Sequence, residues 1–298
     1  MSPLSPLSPL LAALHAAPLR VWSIIITLYG DAIVPRGGTL DLATLLRIFA
    51  AMAVGPGAVR TAVSRLAADG WLAGRKAGRA SFYRLTAEGD AIFAAAARRI
   101  YRAAPPPWDG VLRLVLLPPE TAAAARSTLL DAGFATPVPG LWIAAPGDRA
   151  VPAAIAALAG AVMLDASAES ASGRRLAALA WPLARLAGGY ERFVALFTPL
   201  ARWLEEGGEL AGGEALVARI LLIHHYRRVI LHDPDLPSAL LPPDWPGVAA
   251  RALCRRLDTA LYAQSEAWLD RHARTPEGCL PPPAAAHARF QGDARPRK

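Results

Sequence analysis

The chain has 298 residues, 54% hydrophobic and 19% charged, the reverse of the composition that leaves a chain disordered, and its length suits two or three domains. Lys and Arg number 32 against 24 Asp and Glu, a net charge of +8. Mean hydropathy is positive. Yet no uninterrupted apolar run approaches the roughly 18 residues needed to cross a bilayer, and no cationic residue precedes Arg20 to start a secretory signal. The expectation is a soluble, cytoplasmic protein. Cys254 and Cys279 have no CxxC partner and no His cluster nearby, which argues against a zinc knuckle, a disulfide framework and redox chemistry.

The charge is unevenly spread. Residues 1–103 hold twelve Arg and Lys against five Asp and Glu, so a surplus of seven sits in the first third and only one in the rest. A polyanion-binding module in that third is the leading idea.

The Pro-rich triple SPL repeat opens a leader, residues 1–19, expected to be disordered. RVWSIIITLY (20–29) reads as an apolar helix interrupted at Gly30-Asp31, and PRGG (35–38) as a turn. Asp41 can cap a helix over 42–52 with Leu42, Leu45, Leu46 and Phe49 on its apolar stripe. After the turn VGPG, a third helix over 57–68 has Val59, Ala62, Val63 and Leu66 at helical spacing, leaving Arg60, Thr61, Ser64 and Arg65 on the opposite face. Asp69-Gly70 closes it. WLAGRK (71–76) and SFYRLT (81–86) are strand-like runs around a basic, Gly-containing turn.

This order of helix, helix, turn, helix and basic hairpin is that of a winged helix-turn-helix. A recognition helix needs one apolar face to seat it and one face of Arg, Ser or Thr to reach base edges. The candidate DNA-binding residues are therefore Arg60, Thr61, Ser64 and Arg65 for bases, with Arg75, Lys76, Arg79 and Ser81 on the hairpin for backbone or minor groove. A helix over 87–103 follows, and PPPWDG (105–110) is the clearest linker.

Beyond it, VLRLVLLP (111–118) reads as a buried strand, 120–133 as a helix, and FATPV and GLWIAAP as short strands. A helix over 149–158 and the strand GAVMLDA (160–166) complete the set. The order βαββαβ suggests a ferredoxin-like domain over 105–170, a scaffold that cannot settle a role by itself. The signals over 171–274 are helical. Two long helices, 174–206 and 213–232, flank a Gly-rich stretch, with Pro182, Gly188-Gly189 and Pro199 expected to break the first. A Pro-rich loop (232–247) precedes a last helix, 248–273, and the tail, 275–298, is expected to be disordered. The fold class is thus α+β and multidomain, with the winged helix over 20–104.

With these segments placed, the chain resembles the PaaX family of bacterial transcriptional repressors. The resemblance rests on LYGDAIVPRGG (28–38), VRTAVSRLAADGWL (59–72), GRASFYRLTAEG (78–89), WDG (108–110) and HHYRRVILHDPDLPSALLPPDWPG (224–247). It implies an N-terminal winged helix, a central Cas2-like ferredoxin fold and a helical C-terminal region for dimerisation. It further implies a homodimer on operator DNA that represses aromatic, mainly phenylacetate, catabolism, with phenylacetyl-CoA as the releasing effector.

His224, His225, Tyr226, Arg227, Arg228 and His232 form the densest polar cluster outside the DNA module. Their spacing matches no metal motif, so no metal is assigned. Such groups in an apolar helix must find partners if buried, and hydrogen bonding to the 233–245 loop is one reading. The other makes His224, Tyr226, Arg227 and Arg228 an effector site, guanidinium being matched to acyl-CoA phosphates. No GxSxG, Walker, GxGxxG or HExxH signature occurs. The nuclease reading that the Cas2-like resemblance raises falls on Asp109, as easily a turn cap. The expectation is a non-enzyme without cofactor. The rivals are an acyl-CoA-binding enzyme and a non-sequence-specific nucleic-acid protein.

Overall fold

The computed structural model describes residues 6–105, 107–144, 160–283 and 289–290. It combines helices with antiparallel sheets, an α+β architecture. By compactness the described residues form two units, one drawn from 1–103, 191–231 and 249–298, the other from 104–190 and 232–248. The helical stretch expected as one body over 171–274 is therefore shared between the two.

In the first unit, residues of the expected disordered leader instead form α1 (Ser8–His15), whose Leu10 and Leu14 are buried, with the His15 ring bonded to the Met52 carbonyl at 2.9 Å. Helix α2 (Val21–Leu28) buries nearly every residue and packs on the helices Pro56–Ala68 and Gly212–Ile230. It does not stop at Gly30-Asp31 but widens into a π-helical turn, Tyr29–Ile33, and a 3-10 turn, Val34–Arg36. Strand β1 (Thr39–Asp41) leads into α3 (Leu42–Ala50), capped as expected by Asp41, whose Oδ1 accepts from the Thr44 amide at 2.7 Å. Its buried face is Thr44, Leu45, Ile48 and Phe49 rather than the expected stripe with Leu42 and Leu46. Helix α4 (Pro56–Ala68) buries Val59, Ala62, Val63 and Leu66, the four apolar positions read from the sequence.

Strands β2 (Leu72–Ala77) and β3 (Ala80–Leu85) follow, then α5 (Ala87–Ile100). The sheet order is β1-β3-β2, all antiparallel. The three-residue β1 was not anticipated, being too short to show a period-two pattern.

Helix α8 (Leu183–Glu205) crosses into this unit, joined by α9 (Gly212–Ile230) and most of α10 (Pro246–His272). The expected breaks at Gly188-Gly189 and Pro199 do not occur: α8 runs through both, with Phe193, Phe197 and Leu200 anchored in the core. Tertiary burial outweighs the local penalty. Of the tail expected to be disordered, the described residues 275–283 and 289–290 complete a hairpin, β8 (Arg274–Thr275) and β9 (Gly278–Cys279), and bury Leu280 and Phe290; the rest lies outside the described residues.

The second unit holds β4 (Val111–Leu116), α6 (Pro119–Asp131), β5 (Phe134–Val138), β6 (Leu141–Ala144), β7 (Val162–Ser167) and α7 (Ser170–Ala180). Its sheet order is β5-β6-β4-β7, each neighbour antiparallel. Val115, Leu117, Leu129, Phe134 and Trp142 form its core. The helix expected over 149–158 lies outside the described residues. Asp109 accepts from the Val111 amide at 3.0 Å, capping the turn into β4. Tyr190 donates to Asp233 at 2.5 Å, which ties the 232–247 loop to the N-terminal half of α8.

Candidate nucleic-acid interface

Helix α4 starts at an N-terminus where Gly55 and Gly57 have nothing within 4 Å of a would-be Cβ, so approach to its first turn is open. Because Val59, Ala62, Val63 and Leu66 turn inward, Arg60, Thr61, Ser64 and Arg65 are all exposed on one face. Arg65 Nε lies 3.6 Å from Asp69, with both side chains more than half exposed. Such a pair is weak and leaves the guanidinium deployable.

The β2–β3 hairpin closes through Gly78-Arg79, with Ala77 facing Ala80 and Gly78 at φ +57°, the left-handed geometry that two-residue hairpin turns need. Arg75, Lys76 and Arg79 are exposed and Ser81 is half-buried. Arg75 stands 3.8 Å from Glu277 at the tip of the β8–β9 hairpin. All eight residues proposed for DNA contact thus lie on α4 or its adjoining hairpin.

The four residues proposed for an effector do not converge in this way. His224 is buried, with Nδ1 3.2 Å from the Thr27 hydroxyl. Tyr226 is fully buried against Phe193, ring centroids 5.4 Å apart. Arg227 donates to the carbonyl and hydroxyl of Ser23 at 3.0 and 2.6 Å, while Arg228 is exposed. The partners holding His224 and Arg227 are thus on α2. Burial, then the charges of Arg227, His225 and Arg228, lower the His224 pKa to about 3; burial and Arg228 lower that of His225 to about 4. Burial also brings Arg227 down to about 10. The cavity beside Arg227, lined by Thr27, Gly30, Phe93, Tyr101 and Ile223, measures about 20 Å³, room for about one water.

A third constellation escaped the sequence reading. Arg219 is buried in the middle of apolar α9, its Nε 2.8 Å from Asp31 Oδ2 and its Nη1 2.6 Å from Glu266. Arg36, equally buried, donates to Glu266 at 2.8 Å, to Asp270, and to the Pro281 carbonyl at 2.7 Å. Arg289 Nη1 meets Asp31 Oδ1 at 2.8 Å, and the Tyr101 hydroxyl donates to the same carboxylate. Burial pushes the Asp31 pKa up, but Arg219 and Arg289 overcome it and hold the group below its ordinary value. Asp258, 3.7 Å from Arg219 Nε, is raised to about 6 by burial and the charge of Asp31. The available signal was Arg219 as the one arginine within the apolar run 215–223 of α9, which demands a partner if buried.

Among the described residues no helix is long and apolar enough to cross a membrane. The family described as PaaX-like protein matches residues 20–89, and the PaaX-like protein C-terminal domain matches 181–271. The solved structure of the uncharacterized protein Rv0674 from Mycobacterium tuberculosis is similar at 22% identity and a TM-score of 0.49, covering 76% of this chain and 89% of that one. The transcriptional repressor PaaX of Escherichia coli (strain K12) is 34% identical over 294 residues, covering 94% of this chain and 93% of the relative. From that identity over nearly the whole length, with the family matches at both ends, the chain belongs to the PaaX family of transcriptional repressors.

Proposed function

We propose that the chain represses by binding operator DNA as a homodimer and is released by an aryl-CoA thioester such as phenylacetyl-CoA, in control of phenylacetate catabolism. The observation that carries the DNA reading is the α4 face: four polar and cationic side chains exposed together because the opposite face is buried, beside a hairpin bearing four further cations, Arg75, Lys76, Arg79 and Arg84. In this reading α3 and α4 with the β1-β3-β2 sheet are a winged helix-turn-helix. Arg60 and Arg65 donate to guanine edges in the major groove, Thr61 and Ser64 bond bases or phosphate, and Arg75, Lys76, Arg79 and Ser81 hold the backbone. The β5-β6-β4-β7 order supports a ferredoxin-like, Cas2-like reading of the central domain. Two-fold symmetry doubles the contacts of a module that alone covers little DNA.

The effector reading is narrower. Arg227 is the candidate for the acyl-CoA because its guanidinium, a cation matched to phosphate, borders a cavity. A thioester would enter that cavity only if α2 and α5 part, and that demand itself supplies a route from ligand to DNA module. His224, Tyr226 and Arg228 would then act as neighbours of the opened site. Footprinting the gene's own upstream region with and without phenylacetyl-CoA tests the whole reading. A protected palindrome that vanishes with the thioester is the expected result. Thioester turnover without a footprint would favour an enzyme, and protection indifferent to sequence a general nucleic-acid protein.

A further inference from the structure

The DNA-reading face makes no use of Asp31, Tyr101 or Asp258, yet they build a recess that is filled from the far end of the chain. Arg289 Nη1 lies 2.8 Å from Asp31 Oδ1 and 3.9 Å from Asp258 Oδ1. Its Nη2 donates to the Asp31 carbonyl, and its guanidinium lies over the Tyr101 ring, 4.4 Å from the centroid. The next residue continues the docking. The Phe290 amide donates to the Tyr101 carbonyl at 3.0 Å, and its ring meets that of Tyr101 edge-on at 5.3 Å and is 2% exposed. Phe290 sits at φ +56°, a conformation an aromatic residue keeps only where surrounding contacts over-determine it.

The receptor's chemistry is selective. Two buried carboxylates supply the charge, a phenol ring offers a π-face to a flat cation, and that ring's edge-on packing takes an aromatic neighbour. Without Arg289, the carboxylates of Asp31 and Asp258 share Arg219 alone, and Arg219 also serves Glu266. We propose that the recess of Asp31, Tyr101 and Asp258 is a binding site for an arginine–aromatic pair, occupied here by the chain's own Arg289-Phe290, and that this self-occupancy latches the C-terminal end onto the DNA-reading module.

The route to that module is short. Two residues before Asp31, the Tyr29 hydroxyl donates to the Tyr83 carbonyl of β3 at 3.0 Å. Tyr101 ends α5, whose N-cap Thr86 donates to the Gly70 carbonyl between α4 and β2 at 2.7 Å. Both walls of the recess therefore lead to the hairpin and the recognition helix. This coupling rests on the DNA reading above; the receptor itself does not.

The test uses full-length protein and the probe acetyl-Arg-Phe-amide. By isothermal titration calorimetry the probe is expected to bind the Arg289→Ala/Phe290→Ala variant, whose recess is vacated, and not the wild type, whose recess is filled. Binding to neither or to both alike overturns the receptor. A check independent of any variant is hydrogen exchange of the wild type: the Phe290 amide is expected to exchange at least a hundredfold slower than in a free peptide, and free-peptide exchange overturns the docking. For the coupling, the vacated variant is expected to bind the upstream duplex at least threefold more weakly and to recover on adding the probe; unchanged affinity overturns the latch. Failure of wild type and variant alike to bind any duplex would sink the DNA reading and the coupling with it, while the probe arm still decides the receptor.

Discussion

The proposed DNA reading gives single side chains on α4 and its hairpin separable duties. In the proposed DNA complex Arg65, exposed on α4, reads a base, worth about 1–3 kcal/mol of discrimination, and Lys76 on β2 meets phosphate. Arg65→Ala is expected to flatten preference between operator and scrambled duplex. Lys76→Ala is expected to weaken all duplexes alike and to shallow the slope of log affinity against log salt by about 1. Salt-titrated anisotropy compares the two, and identical behaviour would remove the division. Gly30 is a residue-scale constraint of another kind. A Cβ there would stand 2.2 Å and 2.4 Å from Phe93 ring atoms, so Gly30→Ala is expected to cost about 1–3 kcal/mol, the usual range for overpacking. The double variant with Phe93→Ala should lose less than the sum of the two singles in urea unfolding; strict additivity would show that Phe93 simply swings aside.

At the level of elements, Asp41 joins two pieces of structure. Its Oδ1 caps α3, and its Oδ2 accepts from the Arg274 amide of β8 at 3.1 Å. Asp41→Ala should therefore exceed the roughly 0.5–2 kcal/mol of an ordinary cap loss, whereas Asp41→Asn, which keeps an acceptor, should lose less; chemical denaturation of the two variants decides. The cap on α3 and the seating of α4 were legible in the sequence because both are written within a few residues. Asp41 lies three residues from its amide partner, and Val59, Ala62, Val63 and Leu66 repeat at helical spacing. The continuity of α8 through Pro199 was not legible, since local propensity argues against it and the burial of Phe193 and Phe197 comes from partners elsewhere. The recess was hidden for the same reason. Arg219 and Asp31 are 188 positions apart, and no local pattern links one arginine in an apolar helix to its particular carboxylate.

For the whole molecule, the buried titratable groups set the response to acid. Burial and neighbouring cations hold His224 and His225 at about 3 and about 4, while unfolded imidazoles take a proton near 6.5. Their contribution is complete above that value and is lost as pH falls. Asp258, raised to about 6, works in the opposite sense: between about 6 and 4 the folded chain keeps a proton that the unfolded chain lacks. Between pH 6 and 5 the two imidazoles gain nearly two protons on unfolding and Asp258 returns roughly one. The net uptake of about one proton costs about 1.4 kcal/mol of stability per pH unit of acidification. Urea midpoints at pH 6 and pH 5 measure it. Asp258→Asn is expected to steepen the loss towards two protons, and a flat profile in the wild type would show that the histidines are not held neutral.

That Asp31 finds its cations only in α9 and beyond also bears on how the protein is made. A ribosome adding about 5–20 residues per second needs roughly 10–40 seconds after Asp31 before Arg219 exists, and longer before Asp258 and Arg289. Through that interval the emerging first hundred residues carry an unmatched carboxylate and the uncovered isoleucines of α2. A product terminated before α9 therefore carries a first unit whose Asp31 lacks the guanidinium that meets it at 2.8 Å in the finished fold, and is expected to be less stable for the carboxylate left unpaired.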